Sequence, residues 1–400
     1  MFDTVLYFLI LLFLTFLFAK VKSNVLGIVL FFCYGLVAFA SCVIHITPVP
    51  DLDIERITLT PYLYLVLLYV IFFAPFLYSK KDLSESKVVF KINRYYITFA
   101  LLYIVASLIT IKISIPVASF MIKLGDWASL YREETPVIHS NFIEYASILF
   151  TSYTRLLAFI LGILMLRKMQ SSLYNCIAIL LILTGVITQI FSAIICTSRS
   201  MIFELFVLLP GIYLFFYQSI AKEKKRIVNI LVVLFTVYVC GLFIDVTVSR
   251  FESRGIYDSL LSYLGQAPIV FNTQMFGLLD RFLYGDYTLG NLYGVKSFSP
   301  SMIGGLWDVR FYTFVGWLYV DWGGVGTILV GLLLNLLFFF FIKKKTLYVS
   351  DIFILFSYYL FLIKGVFVIG RSYIIQIIAS FVIFFILKFL DYFSKGNVNE

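Results

Sequence analysis

Long apolar runs alternate with short polar breaks along the whole chain. Eleven runs are predicted, at approximately 2–19, 25–46, 60–78, 95–113, 142–166, 173–196, 200–220, 227–244, 313–342, 350–369 and 372–388. A helix needs roughly 20 residues to cross a hydrocarbon core of about 30 Å, and only the ninth run is markedly longer than that. Backbone polar groups inside lipid must be paired within their own segment, so the runs predict helices rather than open strands. The expected fold is an all-α polytopic membrane protein of about 11 transmembrane helices with one large extracytoplasmic loop.

The breaks divide the chain in three. Residues 1–244 are expected to form an N-terminal bundle of about eight spans, 245–312 the large loop, and 313–400 a C-terminal bundle of about three spans. The loop is rich in charge, Gly, Tyr and Asn. The ninth run is irregular. Phe311 to Val320 is too short to cross, and Asp321-Trp322-Gly323-Gly324-Val325-Gly326 interrupts it before the apolar stretch to Ile342. That pattern predicts a re-entrant or interfacial segment ahead of the ninth span. In the connection from Ile115 to Asn141, apolar residues recur at helical spacing from Val117 to Tyr131, which predicts a helix lying along the membrane surface.

Composition strengthens the membrane reading. The chain is 62% hydrophobic and 13% charged, with a mean hydropathy of +1.00. No soluble domain of 400 residues hides that much apolar surface. The net charge of +9 does not point to nucleic acid, because the basic residues fall in short blocks between apolar runs. Lys20 and Lys22, Lys80 to Arg94, Arg167-Lys168, Lys222 to Arg226, Lys343-Lys344-Lys345, and Lys388 with Lys395 all fall on one side. The positive-inside rule makes that side the cytoplasm, with the N-terminus outside and the C-terminus inside. Inner cations are mostly Lys and outer ones mostly Arg, and topology alone does not explain the second fact. Arg is the fork-shaped donor suited to phosphate and carboxylate. The 5 cysteines lie in or beside apolar runs without metal-binding spacing and read as small apolar residues. Met1 to Ala19 lacks a basic leader and a small-residue cleavage site, so it reads as a retained anchor.

Candidate chemistry concentrates on the outer side. Arg199 and Arg371 sit in very tight turns, Thr197 to Ser200 and Ile369 to Ser372, at the membrane edge. An arginine at hydrocarbon depth is expensive and faces a polar interior or a partner. Arg155 lies near the middle of its run, and Glu144, Thr151 and Arg155 share one helix face. Lys364 and Glu204 are further intramembrane charges. Arg250 and Arg254, four apart, are placed to grip a pyrophosphate if the eighth helix continues past Asp245. Arg310, Asp308 and Asp321 flank the irregular piece. An Asp there is a candidate general base toward a sugar hydroxyl, as is His139, and the alternative for each Asp is a structural carboxylate. Asp51-Leu52-Asp53 matches a metal-holding DxD, but its Pro-flanked loop accounts for it more simply. The 4 tryptophans, Trp127, Trp307, Trp317 and Trp322, fall on or near the outer edge, as an interfacial belt or as stacking surfaces for sugars. There is no P-loop, dinucleotide fingerprint, HExxH or GxSxG, so energy for an outward reaction must arrive in the substrate.

These residues resemble the bacterial O-antigen and capsule repeat-unit polymerases (Wzy-type). Thr197-Ser198-Arg199-Ser200 opening a helix looks like that family's Arg-Ser hairpin. Leu318-Tyr319-Val320-Asp321-Trp322-Gly323 looks like its LYxDxG helix, and Arg254 with Gly265 like its Arg-x10-Gly loop pattern. The resemblance implies a glycosyltransferase of the inner membrane. It would transfer a glycan from undecaprenyl pyrophosphate to another lipid-linked unit, for lipopolysaccharide or capsule, without cofactor or obligatory metal. Arg199, Arg371, Arg310, Arg250, Arg254 and Arg155 would bind the pyrophosphate, and Asp308, Asp321 or His139 would serve catalysis. Implied partners are the lipid-linked oligosaccharide, the bilayer and a chain-length-determining co-polymerase. Two rivals remain: an O-antigen ligase, whose family carries a His in the large loop where Asp245 to Arg310 has none, and a lipid-linked oligosaccharide flippase.

Overall fold

Helix formation follows the apolar runs closely. The computed structural model describes residues 1–21, 24–47, 52, 54–77, 87–124, 141–167, 172–196, 199–217, 220, 225, 229, 241, 256–279, 281–292, 312–344, 346–366 and 373–396. The helices are α1 (Phe2–Lys20), α2 (Val25–Ile46), α3 (Leu59–Leu77), α4 (Arg94–Leu124), α5 (Phe142–Arg167), α6 (Ser172–Ile195), α7 (Arg199–Phe216), α8 (Ile256–Val270), α9 (Asp286–Leu289), α10 (Phe314–Ile342), α11 (Val349–Lys364) and α12 (Tyr373–Gly396). Two two-residue strands, β1 (Lys87–Val88) and β2 (Thr346–Leu347), pair in parallel, Lys87 opposite Thr346. Among the described residues, 8 helices are long and apolar enough to cross a membrane: Phe2–Lys20, Val25–Ile46, Leu59–Leu77, Arg94–Phe120, Phe142–Arg167, Leu173–Ile195, Phe314–Ile342 and Tyr373–Tyr392. The chain is therefore a multi-pass helical membrane protein. The seventh and tenth predicted runs give the shorter helices α7 and α11, and the eighth lies outside the described residues but for Asn229 and Gly241.

One expectation changes. Residues 117–124 are not a separate surface helix. They continue α4 through Pro116, and Ala118 packs on Ile194 and Ile195 at the end of α6. Within the segment 245–312, Ile256–Val270 is helical and runs on into a π-helical turn, Phe271–Met275.

The chain forms two compact units. The first comprises Met1–Glu85, Ile256–Lys344 and Tyr358–Ile378. Its core is aromatic, with Phe314 meeting Tyr34, Tyr69, Phe72 and Phe361. Buried phenols that reach a carbonyl tie helices together: Tyr34 donates to Leu362 O at 2.8 Å and Tyr358 to Phe72 O at 2.8 Å. α8 packs against α2 at Gly265, where a Cβ would fall 2.6 Å from the Ala40 carbonyl carbon. Only glycine allows that approach, and it lets Ser41 Oγ donate to Gly265 O at 2.7 Å.

The second unit comprises Ser86–Gly255, Lys345–Ser357 and Ala379–Glu400. In it α4, α5, α6 and α7 pack as a bundle. A polar node closes one end. Asp391 accepts from Tyr96 Oη at 3.0 Å and from Ser350 N at 3.2 Å, and the buried Asp351 pairs with Lys388 at 3.2 Å.

Candidate functional site

Each unit carries one polar feature of functional interest. In the first unit it is the break in α10. Gly323 takes φ +61 and ψ −168 inside an otherwise helical run. Its position is doubly restrictive: the backbone is left-handed, and a Cβ would lie 2.7 Å from the Phe282 ring. Hydroxyls satisfy the carbonyls at the break, Thr327 donating to Gly323 O and Tyr64 to Gly324 O, both at 2.7 Å. The break falls within the interruption expected at 321–326.

Asp321, one turn-end before the break, is fully buried. Its Oδ1 accepts from Tyr287 N at 2.9 Å and its Oδ2 from Thr288 N at 2.7 Å. The main chain adds two more bonds, Leu283 N to Val320 O at 3.1 Å and Tyr284 N to Asp321 O at 2.9 Å. Both carboxylate oxygens therefore hold backbone N–H groups of the short helix α9. Of the two readings open for Asp321, base and structural carboxylate, this geometry is that of a clamp, although its partners are N–H groups rather than an arginine.

In the second unit the feature is a polar seam between α4, α5 and α6. Tyr103, Ser107, Thr110 and Ser114 line one face of α4 and are buried. Ser147, Thr151 and Thr154 lie buried on α5, with Arg155 half-buried beside them. Thr184, Thr188 and Gln189 are buried on α6. Thr110 and Thr151 meet across the seam at 3.5 Å between hydroxyls. The Tyr103 hydroxyl faces Arg155, Thr188 and Ser107. Gly185 permits that approach, since a Cβ there would meet the Phe159 ring at 2.7 Å and Tyr103 Oη at 3.2 Å.

Several groups in the seam lack partners. Arg155 Nε, Tyr103 Oη, Ser107 Oγ and Gln189 Oε1 are buried without a hydrogen bond among the described residues. Gln189 Nε2, by contrast, donates to Met201 O of α7 at 2.9 Å. Arg155 makes no ion pair among the described residues. Unpaired polar groups in an apolar bundle cost about 1–3 kcal/mol each, and a cation costs more. Arg155 and the Tyr103 and Ser107 hydroxyls lie together, so the seam offers an anionic guest a cation and two hydroxyls in one place.

The expected site residues fall unevenly. Arg155 joins the seam with Thr151, while Glu144 lies at the other end of α5, in its first turn. Arg199 opens α7, and only its backbone lies within the described residues. Arg250, Arg254, Asp308, Arg310, Arg371 and His139 lie outside them, as do Asp51 and Asp53. Glu204 is buried on α7. Lys364 belongs to the first unit, where its Nζ donates to Gln376 Oε1 at 3.0 Å and lies 5.0 Å from the Tyr373 ring centre. Sequence reasoning missed Tyr103 and Ser107, though their spacing with Thr110 and Ser114 marks one helix face.

No protein family, curated protein or solved structure matches the chain.

Proposed function

We propose that this protein polymerises undecaprenyl-pyrophosphate-linked oligosaccharide repeat units on the outer face of the bacterial inner membrane, for O-antigen or capsule. The observation that supports this reading is Arg155, a half-buried cation inside a membrane bundle with no ion pair among the described residues and the Tyr103 hydroxyl beside it. A diphosphate headgroup supplies the charge and acceptors that such a socket lacks. The break in α10 after Val320 and Asp321, read as the end of a re-entrant segment, adds to it. The positive-inside pattern of the basic blocks supports a periplasmic N-terminus and a cytoplasmic C-terminus.

In this reaction the acceptor sugar hydroxyl loses its proton to a carboxylate or imidazole and attacks the anomeric carbon of the donor unit. The anomeric C–O bond to the pyrophosphate breaks, and the lipid diphosphate leaves with the electron pair. Negative charge grows on that leaving group. Preorganised guanidinium and hydroxyl donors in low dielectric stabilise it, and loss of one such donor costs roughly 10²–10³ in rate. Arg155 is assigned this role, with Arg199, Arg250, Arg254, Arg310 and Arg371 as further donors. Asp308 and His139 are the candidate bases, and Asp321 positions the outer segment.

The test is a deletion strain complemented with Arg155→Ala and Arg155→Lys. Deletion is expected to leave single-unit glycans. Arg155→Ala should do the same at normal membrane protein level, and Arg155→Lys should restore short chains only, because it keeps the charge but not the fork. A normal ladder of chain lengths on deletion refutes the reading. Long chains retained on carrier would indicate a ligase instead, and units trapped inside a flippase.

A further inference from the structure

The turn that Asp321 holds is strained. Asp286 N donates to Leu283 O at 3.0 Å, closing a turn whose central residues are Tyr284, at φ +49, and Gly285, at φ +102. Two consecutive positive φ values are those of a type I′ turn, where Gly, Asn and Asp are usual. Tyrosine carries a steric penalty there. Among the described residues Tyr284 is the only non-glycine with positive φ. Its ring is 78% exposed, so packing within the chain does not offset the strain. What holds the conformation is the clamp from Val320 and Asp321, which makes the turn a rigid mount for an exposed aromatic ring.

Apolar side chains lie beside Gly285, the other central residue of the turn. The Trp322 indole lies over the turn, its Cζ2 being 3.6 Å from where a Gly285 Cβ would sit. Trp322, Leu278, Leu289 and Leu292 are exposed, and Val325 begins the next helical stretch with 74% exposure. From Val325 the exposed residues Leu329, Leu333, Leu336 and Phe340 continue along one face of α10, a helix apolar and long enough to cross a membrane. Trp322, which touches both Gly285 and Gly326, thus joins the turn to this exposed apolar stripe. Arg281 and Asp286 are exposed on the same segment.

We infer that the Tyr284 turn and Trp322 form an interfacial anchor, seated in the lipid headgroup layer at this end of α10. Tyr and Trp pair an apolar ring with a polar edge, which suits that layer, and the flanking leucines reach the acyl boundary while Arg281 and Asp286 stay among headgroups and water. A sugar-stacking platform calls for polar groups around the rings to bind hydroxyls, and here the exposed flanks are mostly apolar, Leu278, Leu289, Leu292 and Val325 against Arg281 and Asp286. The anchor keeps segment 277–292 against the membrane, whatever reaction the protein performs.

The test uses the full chain in phosphatidylcholine nanodiscs. In a variant whose sole tryptophan is Trp322 (Trp127, Trp307 and Trp317 each changed to Phe), emission should be quenched about twofold more by a nitroxide on the headgroup or at acyl carbon 5 than at carbon 12, with weak quenching by acrylamide. Because Trp317 is a core residue, a nitroxide on Tyr284→Cys in a cysteine-free background gives a second reading. It should collide more with oxygen than with a water-soluble nickel chelate. Strong acrylamide quenching and nickel access, without lipid quenching, overturn the anchor. Protection of both reporters only on adding oligosaccharide overturns it in favour of a glycan platform.

Discussion

Asp321→Asn separates a carboxylate that builds the site from one that does chemistry. In the wild type, two oxygens each accept a backbone N–H, at 2.9 and 2.7 Å, in a place with no solvent exposure. A net hydrogen bond to a charged group contributes about 1.5–3 kcal/mol. Asparagine keeps one acceptor, but its NH2 then points at the other backbone N–H. One bond is lost, one buried donor is stranded and the remaining bond loses its charge, for a cost of about 2–4 kcal/mol. The bonds from Leu283 N and Tyr284 N to the α10 backbone do not involve the side chain, so the damage should stay local. Opening of the segment 283–292 should become more frequent by on the order of 10²-fold, at a factor of ten per 1.4 kcal/mol. Hydrogen exchange of nanodisc-embedded protein, read by mass spectrometry, measures this directly, with peptides from α2 as the unchanged control. If segment 283–292 exchanges as in the wild type while the proposed polymerisation is lost, Asp321 is no clamp and belongs to the chemistry.

Three further substitutions test the packing that supports this segment. Gly265→Ala puts a Cβ 2.6 Å from the Ala40 carbonyl carbon and should push α8 off α2. We expect a loss of about 1–3 kcal/mol, seen as a lower apparent Tm of detergent-solubilised protein, and Ser41→Ala should cost only about 1 kcal/mol. Gly323→Ala combines a left-handed backbone with a clash against Phe282 and should cost about 2–4 kcal/mol, with faster proteolysis near the break as the readout. An unchanged Tm for Gly265→Ala, or wild-type cleavage for Gly323→Ala, would show that the helices accommodate the methyl group.

Much of the fold was legible because membrane crossing imposes a length. α1, α2 and α3 fall within a residue or two of their apolar runs. Where helix extends beyond the predicted runs, residues of low helix propensity serve contacts. Pro116 lies inside α4, which continues past the fourth run with Ala118 packed on the end of α6. Gly265 and Pro268 lie inside α8. In the structure Gly265 is where α8 touches α2, and Pro268 precedes a π-helical turn whose Asn272 exchanges two hydrogen bonds with the Thr58 backbone, at 3.1 and 2.7 Å. Local propensity loses to tertiary contact at both places.

The seam shows what a stripe of polar residues leaves undecided. Thr and Ser inside a helix can turn their hydroxyls back onto the carbonyl a turn earlier, and in lipid this satisfies them at no need of a partner. Thr110 donates to Ala106 O at 2.9 Å, Thr151 to Ser147 O at 2.9 Å, Thr154 to Phe150 O at 2.6 Å and Thr184 to Leu180 O at 2.8 Å. Those residues need no guest, however functional their spacing looks. A phenol is too long to bond back in this way, so the buried Tyr103 hydroxyl must find its partner across the bundle, and it faces Arg155. Ser107, next along the same face, also leaves its own helix unbonded. The functional signal in such a bundle is therefore not how many polar residues it buries but which of them fail to satisfy themselves on their own helix, and here Tyr103 and Ser107 do so beside one guanidinium.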